Sequence, residues 1–144
     1  MNENGWRTLR LSEVKPIPSP CVDDVNGWLP LRHTLGVEAF GINAWLGRET
    51  GDEVIENHDE LNEDPADNHE EVYVVIEGRA TFTVDGAEVD APRGTVIFVK
   101  DPAIVRHAVA RSPGTTVLAI GGPVGRAFEP SPWEQRGIEE AQSA

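Results

Sequence analysis

Residues 69–84 constrain the fold of this chain more than any other stretch. Val72, Tyr73, Val74, Val75, Ile76, Thr81, Phe82, Thr83 and Val84 suit a pleated, half-buried surface. Glu77-Gly78 supplies turn chemistry in the middle, so the stretch predicts two strands folded about that point. With a period of two, His69, Glu71, Tyr73 and Val75 share one face. An imidazole and a carboxylate then point where the apolar residues point. Buried ionisable groups are costly without a partner, so this face is expected to line a pocket.

The rest of the chain carries the same β signature. Residues 40–46 alternate apolar with small or polar positions, and residues 54–58 begin another strand. Asp85-Gly86 marks a tight turn, residues 95–99 read as a core strand, and strands follow over 104–110 and 115–120. Upstream, a short edge strand is expected around residues 6–9, then an extended arm over residues 15–21 set by Pro16, Pro18 and Pro20. Residues 28–33 read as a further extended piece. At the other end, Ser131-Pro132-Trp133-Glu134 combines a cap, a proline and an acid, which predicts a short helix over about residues 132–141 with Trp133 pinning it to the body. The expected division is an N-terminal arm over 1–36, a barrel over 37–125 and a helical tail over 126–144.

Charge narrows the partners. The net charge of −13 opposes nucleic acid and anionic membrane surfaces, since like charges repel. Eleven of the acidic residues fall between Glu49 and Glu71, with no Lys or Arg among them. That run is either a solvated loop or a carboxylate-rich mouth that draws a cation. Cys21 is the single cysteine, so no intrachain disulfide forms, and without a targeting pattern a cytoplasmic location is expected.

Glu71 followed six residues later by Gly78 reproduces the second half of the first cupin motif, G-x5-H-x-H-x3–4-E-x6-G. Gly94, Pro102 and His107 follow the second motif, G-x5-P-x-G-x2-H-x3-N, more loosely. Two extra residues separate Gly94 from Pro102, Ile104 replaces the motif glycine, and Arg111 replaces its asparagine. The H-x-H pair is absent, and His58-Asp59-Glu60 is the nearest substitute. Over residues 40–122 the chain thus resembles the cupins. The resemblance implies an all-β double-stranded β-helix, the jelly-roll barrel, with a short C-terminal helix and a site inside the barrel.

Metal-binding cupins hold one divalent ion with imidazoles and a carboxylate, which here implies ligands among His58, Glu60, His69, Glu71 and His107. His107, at the motif position, is expected to face Glu71 across an apolar cavity. Trp45, Tyr73, Phe82 and Phe98 are the candidate pocket walls. The resemblance further implies iron, manganese, nickel or zinc as cofactor and a small organic molecule as ligand, with dioxygenase or isomerase chemistry. A metal-free binding or sensor module is the alternative. By analogy with cupins, a homodimer is the expected assembly.

Overall fold

The computed structural model describes residues 5–18 and 27–143. Nine strands among them form two antiparallel sheets: β1 (Gly27–Leu29), β2 (Gly41–Gly47), β3 (Glu53–His58), β4 (His69–Glu77), β5 (Arg79–Val84), β6 (Ala87–Pro92), β7 (Val96–Val99), β8 (Arg106–Ala110) and β9 (Thr115–Pro123). One sheet runs β1-β2-β9-β4-β7 and the other β3-β8-β5-β6. The two sheets close face to face on Val54, Ile55, Tyr73, Val75, Phe82, Val99 and Val117, backed by small alanines. This is the expected all-β double-stranded β-helix with a C-terminal helix.

The expected pairing of the two central strands is corrected. β4 pairs with β7 and β9, whereas β5 pairs with β6 and β8. Gly78 is therefore the corner where the chain changes sheet, not a hairpin tip. Its φ is +72°, and a Cβ there would stand 2.4 Å from Thr115 Oγ1 and 2.8 Å from Thr115 Cα. The hairpin lies one turn later, at Asp85-Gly86, where both residues have positive φ.

Outside the five-stranded sheet, Val14, Leu29, Leu31 and Ala44 form a second apolar cluster, with Leu9, Leu11, Ile42 and Leu118 packed on it. No strand forms over residues 6–9; a single 3-10 turn, Leu11–Glu13, follows instead. Ile17 bridges to Trp28 in extended conformation, while residues 19–26, with Pro20 and Cys21, lie outside the described residues. Residues 28–33 are not wholly extended. After β1 the chain forms α1 (Leu31–Leu35), closed by Gly36 in the left-handed region. Helix α2 (Pro132–Ser143) is anchored to α1 by Arg32 Nε donating to Glu134 Oε1 at 2.8 Å. No helix among the described residues is long and apolar enough to cross a membrane.

Candidate functional site

The mouth of the barrel holds a cavity of about 300 Å³. Trp45, Ile55, Tyr73 and Trp133 form its apolar walls; Glu56, His58, Asp59, Glu60 and Glu71 bring ionisable groups to it. β3 delivers His58 from one sheet and β4 delivers Glu71 and Tyr73 from the other. Glu60 follows β3 in the acidic loop, its backbone N–H donating to the Pro102 carbonyl at 2.9 Å. Further along, Arg126 Nη1 holds Asp64 and Asp67, each at 3.1 Å, and Asn62 donates to the Asp67 carbonyl. The acidic stretch is thus a fastened loop that presents Glu60 to the cavity.

His58, Glu60 and Glu71 each offer a ligand atom within 4.8 Å of the other two. Nδ1 of His58 lies 2.7 Å from the Glu56 carbonyl, so that nitrogen carries the proton and Nε2 faces the carboxylates. Nε2 stands 3.0 Å from Glu60 and 3.8 Å from Glu71. Burial alone would lower the His58 pKa. Hydrogen bonds to Glu60, Glu71 and the Glu56 carbonyl outweigh it and raise the value to about 10. Glu71 also accepts a hydrogen bond from the Tyr73 hydroxyl. Burial, and then the charge of Glu71, push the Tyr73 phenol well above its usual range. Burial likewise raises the Glu56 carboxyl; His58 pulls it down, and Glu53, Glu60 and Glu71 add to the rise. Opposite Glu71 in β9 stands Gly121, where a Cβ would meet the Glu70 carbonyl oxygen at 2.8 Å and Glu71 Cγ at 3.4 Å. Glycine there leaves the carboxylate its room.

The other expected site residues fall elsewhere. His69 shares the Glu71 face but lies nearer the rim, 5.9 Å from the Phe128 ring, in an adjoining recess. His107 does not meet Glu71. In β8 the inward positions are Arg106, Ala108 and Ala110, all buried, and His107 projects from the opposite face. There its Nε2 lies 2.9 Å from Glu53 Oε2. Tyr73 and Trp45 do line the cavity. Phe82 is buried core beneath Tyr73, with ring centroids 5.6 Å apart. Phe98 is on the outside, 55% exposed, because it pairs with outward Val72 while Ile97 pairs with Tyr73.

Three residues of this region did not emerge as site residues from the sequence. Trp133 is a wall of the cavity as well as the anchor of α2: its ring centroid is 5.0 Å from Trp28 and 6.2 Å from Trp45. Asn43 lines the cavity and accepts from Trp28 Nε1 at 2.9 Å. Arg106 occupies the inward place in β8. Their signals were faint, since Trp133 is 88 positions from Trp45 and nothing local joins them.

No family model matches the sequence, and no curated protein is similar to it. Solved structures do share its architecture. A sugar phosphate isomerase from a cupin superfamily of Silicibacter pomeroyi superposes with a TM-score of 0.66 at 18% identity, covering 82% of this chain and 76% of that one. A cupin protein from Bacteroides fragilis gives 0.58 at 16% identity, with 88% and 92% covered. A protein provisionally named a sugar phosphate isomerase, from Acidithiobacillus ferrooxidans, gives 0.54 at 20% identity; the match covers 69% of this chain and 60% of that longer one. With its two sheets, its corner at Gly78 and its ionisable cluster in the barrel mouth, the chain has the cupin fold.

Proposed function

We propose that this cupin-fold protein is an enzyme acting on a small organic molecule, with one divalent cation held by His58 Nε2 and the carboxylates of Glu60 and Glu71. One observation carries the reading: three donors from two opposed sheets and a fastened loop converge within 4.8 Å of one another. The donor set fits a cation, since His58 Nε2, on giving up its proton to the incoming ion, joins two carboxylate oxygens. One imidazole with two carboxylates suits iron or manganese better than a softer ion. When bound, such an ion supplies Lewis-acid chemistry or a place for dioxygen.

The chain's own residues do the remaining work. The Glu56 carbonyl fixes the His58 tautomer, and Tyr73 steadies the Glu71 carboxylate. Trp45 and Trp133 give flat apolar walls that exclude water from one side of a guest. Glu56, with its raised pKa, holds or takes a proton beside the cavity. Isomerase chemistry needs such a group, and two of the structural neighbours carry the name sugar phosphate isomerase. Metal analysis of untagged, chelator-free protein tests the reading. Near-stoichiometric metal, lost in Glu71→Gln and His58→Ala, is expected; a metal-free wild type that stays folded sinks it.

A second reading, a metal-free binding module, is favoured by the same histidine. A His58 imidazolium between Glu60 and Glu71 is already ion-paired without any cation. The metal analysis separates the two.

A further inference from the structure

Arg106 is fully buried, and among the described residues none of Nε, Nη1 and Nη2 has a hydrogen-bond partner. A guanidinium has five N–H donors in a rigid fork, and it stays charged at any physiological pH. Leaving it dry and unmatched carries the desolvation penalty of a buried ion with nothing to offset it. Its inward neighbours along β8 are Ala108 and Ala110, so the barrel accepts small apolar residues on this row. Charge here is a cost the fold does not require.

The position of Arg106 says what meets that charge. Its partner across the β3–β8 ladder is His58, a wall of the cavity, and its charge is felt at Tyr73, another wall. The nearby carboxylates are engaged otherwise: Glu60 with His58, and Glu71 with Tyr73. We infer that Arg106, fully buried beside the cavity walls His58 and Tyr73, is an oxyanion receptor, and that the natural guest carries a carboxylate or phosphate which the guanidinium grips in bidentate fashion once a wall side chain moves aside. Such forks match both groups, and the match is strongest where water is excluded. The inference deepens the functional reading in that it takes the cavity as the ligand site, but it is independent of the cation.

The experiment is a thermal-shift and calorimetric titration of chelator-treated, untagged protein with inorganic phosphate and, separately, with malonate, each against sodium chloride of matched ionic strength. Wild type should be stabilised by at least one of the two anions, and the stronger one identifies the group. In Arg106→Lys, affinity for that anion should fall at least tenfold, because the fork is lost while the charge remains. In Arg106→Met the response should vanish, and the melting temperature in anion-free buffer should match or exceed that of wild type, since an unmatched charge has been removed. A wild type indifferent to both anions overturns the proposal, as does a response that survives both substitutions. An Arg106→Met protein that melts well below wild type, with no anion effect in either, makes the residue structural. Because no metal is present, these results are distinct from the metal analysis, which judges the cation alone.

Discussion

Nε2 of His107 lies 2.9 Å from Oε2 of Glu53, and the pair sits on the side of its sheet that faces away from the cavity. Replacement of His107 by alanine is therefore expected to leave metal content unchanged. A partly exposed hydrogen-bonded contact of this kind contributes under about 1 kcal/mol, so urea unfolding should shift by no more than that. Loss of bound metal in His107→Ala would place the residue back in the site.

His58 titrates in the opposite sense from a buried carboxylate. Its folded-state pKa is about 10 against an ordinary 6.5, so the folded protein holds this proton more tightly than the unfolded chain. The resulting stabilisation is complete below the unfolded value and disappears as the pH rises through the folded one. For chelator-treated protein, melting temperature should fall between about pH 7 and pH 10 in wild type, and less steeply in His58→Gln. Parallel profiles would show that the imidazole is not held by Glu60 and Glu71.

Gly78 has no tolerable substitute. A left-handed φ and a Cβ within 3 Å of the Thr115 backbone act together at the corner between the sheets. Gly78→Ala should destabilise by more than about 2 kcal/mol, read as a lower urea midpoint with an unchanged slope. Gly94 has a φ of +89° but nothing within 4 Å of its Cβ, so Gly94→Ala should cost less, about 1 kcal/mol.

Arg32 and Glu134 are 13% and 4% exposed, and they join the two helices. Removing one partner leaves the other charge buried alone, so Arg32→Met or Glu134→Gln should each cost about 3 kcal/mol. The double variant Arg32→Met/Glu134→Leu should recover most of that loss. Limited proteolysis of the tail reports on it directly: each single variant should be cut faster after Pro132 than the double.

Much of the architecture is legible in the sequence because β4 alternates cleanly: His69, Glu71, Tyr73 and Val75 all face inward as their spacing demands. The Glu71 to Gly78 spacing carries the resemblance to cupins for a physical reason, since the carboxylate and the corner are fixed to one strand. What the sequence hides is register. Around β8, Val105 just before the strand and the outward His107 and Val109 look more like a buried row than the inward Arg106, Ala108 and Ala110, so reading by hydropathy turns the strand over. In β7 every residue from Val96 to Val99 is apolar, and no alternation marks Phe98 as outward. The sheet change after Glu77 is equally silent, because a glycine with positive φ serves a corner as well as a hairpin. The short helix α1 did leave a trace, a proline before it and Gly36 after it.

Three of the four tryptophans, Trp28, Trp45 and Trp133, have ring centroids 5.0–6.2 Å apart, and two of them form the cavity wall. The fourth, Trp6, is 57% exposed. The chain consequently carries its own optical gauge of occupancy. Any guest that slides against those indoles will change their emission, so collections of candidate compounds can be screened by quenching, without a label and before any reaction is known.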